Sequence, residues 1–201
     1  MALRIKFRAL LTSCGDPIEK GELIIDEGEI VEISNQFTNG GESLDLSDCL
    51  LMPGFVNAHC HISLTALEKK LSPAKSIVDW IHALIPLNSV LDNESRVRGI
   101  RAGADEMMRS GVTALGDYVA EPELLKVIDA LGFRSVLFLE TLGFHSEKAQ
   151  NLCQRVEGVL KSESLSPLGR LGLAPHAPYS VSPDLFRCLK QLARKYDCPF
   201  S

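Results

Sequence analysis

Two histidines one residue apart, His59 and His61, lie in the run Pro53-Gly-Phe-Val-Asn57-Ala-His59-Cys60-His61. In an extended strand successive side chains point to opposite faces, so the two imidazoles project to one side and Cys60 to the other. Imidazoles side by side at the exit of a strand can take two positions on one metal ion. A bare His-x-His run is more often a pair of polar strand residues; here Pro53-Gly54 turns the chain into the strand, and a strand–helix series follows. A second segment, Leu173-Ala-Pro175-His176-Ala-Pro178-Tyr179-Ser180, holds His176 between two prolines that fix the loop. A histidine held this way can exchange hydrogen bonds with a substrate group or join a metal shell.

Other polar residues carry weaker signals. Asp117 and Glu140 also stand at the carboxyl ends of strands and could face the same mouth, with capping of the following helix the plainer role. Trp80, the single tryptophan, lies in Ile77-Val-Asp-Trp-Ile-His-Ala-Leu84. It could wall a pocket for a flat substrate, although an aromatic on an apolar helix is more often core. His82 is expected on the outer face of that helix, His145 in a loop, and Glu68-Lys-Lys70 on a solvated surface.

The elements that must position these residues change character near residue 50. Residues 1–50 read as short strands: Arg4 to Leu10, then Gly21 to Ile25 and Glu29 to Ser34 as a hairpin around Asp26-Glu-Gly28, with Asn39-Gly-Gly41 a further breaker. Residues 51–201 alternate strand and helix. Asn93 to Arg109 carries Val97, Ile100, Ala104, Met107 and Met108 on one helical face and stops at Gly111. Val112 to Leu115 follows as a strand, Glu121 to Leu131 as a helix opened by Pro122, and Phe133 to Leu139 as a strand. Glu147 to Leu160 is helical, Leu171 to Ala174 a strand, and Ser182-Pro183 caps a helix reaching Tyr196. Pro199-Phe-Ser201 resembles the entrance to a further strand. Such alternation implies parallel strands with right-handed crossovers, which a doubly wound sheet or part of an eight-stranded barrel would satisfy. A complete barrel needs about 250 residues, so the barrel reading makes this chain incomplete.

Composition sets the outer limits. The 201 residues suffice for one sizeable core or one core and a small satellite. A net charge of -5 leaves no basic footprint for nucleic acid. No apolar run approaches the ~20 residues of a membrane span, and Met1-Ala-Leu-Arg-Ile-Lys lacks the apolar block of a signal peptide. A cytoplasmic location is therefore expected. The six cysteines are irregularly spaced without a Cys-x-x-Cys pair, and free thiols, buried or half-buried, are expected of them.

Met52-Pro-Gly-Phe-Val-Asn-Ala-His-Cys-His61, Ser110-Gly-Val-Thr-Ala-Leu-Gly-Asp117 and Ala174-Pro-His-Ala-Pro-Tyr-Ser180, in that order behind a small β-region, resemble the amidohydrolase superfamily. The branch they look most like holds adenosine-analogue deaminases, aminofutalosine deaminases, guanine and cytosine deaminases and triazine chlorohydrolases. The resemblance implies an α/β fold, the first half of a TIM-type (β/α)8 barrel, preceded by a small N-terminal β-sandwich segment. It implies His59 and His61 as metal ligands, His176 and Trp80 as substrate contacts, and one divalent ion, Zn²⁺ with Fe²⁺ as the alternative. The family's further ligands and its acid/base glutamate belong to later strands, beyond Ser201, so no catalytic acid or base is assigned.

The implied activity is hydrolytic deamination of an adenine-type nucleoside or related nitrogen heterocycle, with a small molecule as partner and neither nucleic acid nor membrane. The alternatives are a chlorohydrolase or amide hydrolase with the same machinery, and a shortened, inactive paralogue serving as an interaction module. Half a barrel would leave open strand edges and an uncovered apolar face, so a homo-oligomer is expected.

Overall fold

The computed structural model describes residues 2–37 and 40–201 and divides into two compact units, Met1–Gly54 and Phe55–Ser201. Met1 and Asn39, expected in the opening strand and in a breaker, lie outside the described residues.

In the first unit β1 (Leu3–Leu10), β2 (Ile18–Asp26), β3 (Glu29–Ser34) and β4 (Glu42–Leu51) form one sheet in the order β3-β2-β1-β4. β2 and β3 are the expected hairpin, and Glu27 (φ 49°) and Gly28 (φ 82°) both take the left-handed conformation of a two-residue turn. β1 runs antiparallel to β2 and parallel to β4, with Phe7, Leu10 and Leu23 as a small core. Of the expected β-sandwich segment, the described residues show this single sheet.

The second unit starts with β5 (Phe55–Cys60), a 3-10 turn (Ile62–Leu67), α1 (Ile77–Ser89), α2 (Asn93–Arg109) and β6 (Val112–Val119). It continues with a 3-10 turn (Pro122–Leu124), α3 (Leu125–Asp129), β7 (Arg134–Thr141), α4 (Ser146–Ser162), β8 (Gly169–Pro175) and α5 (Pro183–Lys195). The four strands pair in parallel in chain order, β5-β6-β7-β8. Phe200 adds a parallel bridge to Leu173, where the next strand was expected to enter.

Strand order decides between the two parallel architectures. A doubly wound sheet reverses its strand order and carries helices on both faces; here the order never reverses. Leu115 and Val119 of β6, Leu137 and Leu139 of β7 and Leu173 of β8 join Ile100, Ile128, Val156, Leu185 and Leu189 in one core. Helices α2 to α5 therefore cover one face, the arrangement found in the wall of a barrel. Full burial of side chains such as Leu137, Leu173, Leu185 and Leu189 stabilises that layer by about 1.5–3 kcal/mol each.

Two helices depart from expectation. On α2 the buried face holds Arg96, Gly99, Ile100, Gly103 and Ala104, while Met108 is half exposed. The glycines bring α2 against the turn after β5: a Cβ on Gly103 would stand 2.7 Å from Thr65 Oγ1, and one on Gly99 would strike the Ala66 backbone. The single helix expected over residues 121–131 is a 3-10 turn plus five α-helical residues. Asp129 ends it by turning its carboxylate to the Ser166 N–H (2.8 Å) and hydroxyl (2.9 Å).

The cysteine expectation needs correction. Cys153 of α4 and Cys188 of α5 form a disulfide with Cα atoms 6.3 Å apart, while Cys14, Cys49, Cys60 and Cys198 are free. The partners lie 35 residues apart and meet because α4 packs beside α5, which local spacing does not report. The same helices are joined by Glu157, which accepts from Lys195 Nζ (2.6 Å) and the Tyr196 hydroxyl (2.8 Å). The Lys195 bond first, then the Tyr196 bond, lower its carboxyl from an ordinary 4.5 to about 2. Among the described residues no helix is long and apolar enough to cross a membrane.

Alkylation of the unfolded, non-reduced chain should modify the four free cysteines and spare Cys153 and Cys188; mass spectrometry showing all six modified would contradict the pairing. Cys188→Ser should cost about 2–4 kcal/mol in denaturant unfolding. Glu157 has a lowered folded pKa, so its contribution is present above pH 4.5 and is lost as pH falls toward 2. Glu157→Gln should remove that part of the acid limb from a Tm–pH profile.

Candidate active site

The strand that carries His59 and leads into His61 ends beside a buried carboxylate. Asp117 of β6, 1% exposed and opposite Cys60 in the register, accepts the Ile62 N–H at 2.8 Å and the Cys60 thiol at 3.3 Å. The 3-10 turn then starts at Ile62, with His61 at its N-terminal boundary. Burial pushes the Asp117 carboxyl up, against the lowering effect of the Ile62 and Cys60 hydrogen bonds. Burial, and after it the Asp117 charge, push the Cys60 thiol up as well, so it stays protonated at neutral pH. Asp117, expected to cap a helix after its own strand or to face the mouth, instead holds the turn after the neighbouring strand.

On the other face the rings of His59 and His61 lie 5.4 Å apart, edge to face at 70°. His59 is exposed and stacks on Tyr118 at 4.0 Å, and Tyr118 stacks on Phe138 at 5.0 Å. His61 Nδ1 stands 3.1 Å from the Tyr118 carbonyl oxygen and 3.9 Å from Glu140 Oε2. The structure thus gathers His59, His61, Tyr118 and Glu140 at the carboxyl ends of β5, β6 and β7. Tyr118 was missed in the sequence because β6 was read only to Leu115; carrying the strand's alternation to Val119 would have found it.

His176 follows β8, where Pro175 pairs with Thr141. Its N–H donates to the Thr141 carbonyl at 3.1 Å, its Nδ1 is 2.7 Å from Ser180 Oγ, and its ring is exposed. Trp80 is half-buried on α1. Among the described residues neither makes a hydrogen bond or ring contact to His59 or His61. His82 and His145 are exposed, His145 lying 3.6 Å from Glu147, and Glu68 and Lys69 pair at the surface.

Two imidazoles on one face suit two positions of a divalent-metal site, which takes three or four protein ligands. Among the described residues no three His, Cys, Asp or Glu side chains gather closely enough to hold an ion, so the fit is partial. A cavity of about 540 Å³ lies between the ends of β6 and β7 and α4, reaching Glu140 but lined by neither histidine. Its position against Leu139 and Val156, which belong to the helix-side core, separates it from the histidine face.

The model of the amidohydrolase family matches residues 50–201. The chain belongs to this family. Among relatives of this chain, the 5'-deoxyadenosine deaminase of Methanosphaera stadtmanae is 30% identical over 193 residues, covering 92% of this chain and 45% of that protein. The 5-methylthioadenosine/S-adenosylhomocysteine deaminase of Nitratidesulfovibrio vulgaris is 30% identical over 195 residues, covering 90% and 43%. An adenosine deaminase from Xanthomonas campestris, solved with bound zinc, shares the fold at a TM-score of 0.78 and 23% identity, over 98% of this chain and 48% of that one. The chain thus spans less than half the length of these proteins.

Asp117→Asn keeps an acceptor for the Ile62 N–H and should be tolerated. Asp117→Ala should cost about 1–3 kcal/mol in denaturant unfolding, the penalty for leaving a buried donor unpaired. Equal stability of the two variants would show that the turn does not depend on this carboxylate.

Proposed function

We propose that this amidohydrolase chain contributes the entry strands and the first two metal ligands of a hydrolytic deaminase acting on an adenine-type nucleoside. The observation that carries the reading is the side-by-side placement of His59 and His61 at the carboxyl end of β5, in a chain whose relatives carry deaminase names. In this reaction water adds at the ring carbon bearing the amino group, and ammonia leaves as a carbonyl forms. His59 and His61 would hold a divalent ion, Zn²⁺ or else Fe²⁺, which when bound supplies a Lewis acid and lowers the pKa of water.

The remaining roles are those the family resemblance implies. His176 presents an exposed ring whose Nδ1 is engaged by Ser180, leaving Nε2 to meet a substrate group. Trp80 offers a half-buried aromatic surface for a flat base. Cys60 takes no part, since its thiol is turned to Asp117.

In the full-length protein the His59→Ala/His61→Ala variant should lose its metal and its ammonia release from 5'-deoxyadenosine, while Cys60→Ala should keep both. Unchanged metal content in the double variant, by elemental analysis, removes the basis of the reading. His176→Ala should keep the metal and lower kcat/KM by ~10²-fold or more if a transition-state hydrogen bond is lost. Chloride release from a chlorinated triazine, with no ammonia from the nucleoside, would transfer the protein to the chlorohydrolases.

A further inference from the structure

We propose that Tyr118 is a positioning residue that sets both candidate ligands, its ring orienting His59 and its carbonyl selecting the tautomer of His61. The inference rests on the reading of His59 and His61 as metal ligands and concerns how they are held ready.

An exposed imidazole at a strand exit is free to turn about its side-chain bonds unless something packs against it. His59 is packed by one partner in particular: the Tyr118 ring, 4.0 Å away and inclined at 29°. Tyr118 is itself backed by Phe138 at 5.0 Å and 23°, and Phe138 rests on the β8 backbone at Gly172, where a Cβ would stand 2.6 Å from Phe138 Cδ1. The three rings form a row across β5, β6 and β7 that ends on β8, so the orientation of His59 is braced by the width of the sheet. The Tyr118 hydroxyl meets Ser201 Oγ at the surface, a contact separate from the ring stacking.

The same residue acts on His61 through its backbone. The Tyr118 carbonyl lies 3.1 Å from His61 Nδ1. A carbonyl only accepts, so Nδ1 carries the proton and donates it, and the lone pair is left on Nε2. The Glu140 carboxylate, 3.9 Å from the same Nδ1, favours that proton from a second side. A ligating histidine is commonly fixed by such a bond from its other ring nitrogen, and loss of such outer contacts weakens metal binding by about 10- to 100-fold.

Long-range ¹H–¹⁵N correlation spectra of the metal-free, full-length protein read the tautomer without any activity assay. His61 should show a protonated Nδ1, and the His59 ring protons should be shifted upfield by the Tyr118 ring. Tyr118→Leu should abolish the His59 shift and weaken zinc about 10-fold or more in chelator competition, while Tyr118→Phe should restore both. Phe138→Leu, which keeps Tyr118 and removes its backing, should give an intermediate loss and serves if Tyr118→Leu does not fold. A His61 protonated on Nε2, or a Tyr118→Leu protein with the wild-type shift and zinc affinity, would overturn the assignment. The metal reading fails separately, through zinc binding that survives loss of both histidines.

Discussion

The arrangement at the mouth of the sheet depends on one buried carboxylate. Asp117 sits on the helix side of β6 and draws the Ile62 N–H and the Cys60 thiol toward it. Removing a carboxylate from water is unfavourable, as its raised pKa records, and the two donors offset part of that cost. In return the chain after β5 has one direction to take. Cys60 turns inward to the helix layer, and the residues on either side of it, His59 and His61, are left on the opposite face. The 3-10 turn that follows fits because Gly99 leaves room for its Ala66 backbone and Gly103 for its Thr65 and Ile62 side chains. A carboxylate on one strand, a turn on the next and two glycines on a helix act together to place two imidazoles.

The period of two along each strand then sorts the rest of the chemistry. Aliphatic residues at 115 and 119, 137 and 139, and 173 face the helices and supply the apolar burial that holds the layers together. The intervening positions, Tyr118, Phe138 and Glu140, face the other way and accompany the histidines. A register slip of one residue in any strand would exchange the two sets, so the core that stabilises the sheet also enforces the composition of the site.

Much of this was legible in the sequence because the signals are local. The histidine pair, the Ser182-Pro183 start of α5, the stop at Gly111 and the strand–helix alternation each depend on residues within a turn or two of one another. What was not legible is non-local. Cys153 and Cys188 meet across two packed helices, and Asp117 serves a neighbouring strand rather than its own helix. Tyr118 stayed hidden because Gly116 and Asp117 look like the end of a strand, whereas pairing to β7 carries β6 on to Val119. The buried face of α2 was misplaced toward Met108 because hydrophobicity alone does not show that a glycine can be the contact residue.

Phe138 and Gly172 occupy one shared volume on neighbouring strands, the ring of the first filling the space a side chain of the second would need. Substitutions at the two positions are therefore coupled, and their order matters. Residue 172 can grow only after residue 138 has shrunk, whereas residue 138 can shrink first and leave a tolerable gap. Exchanging the large–small pair for a small–large one avoids a clash when residue 138 is changed first, whereas changing residue 172 first sets its Cβ 2.6 Å from Phe138 Cδ1.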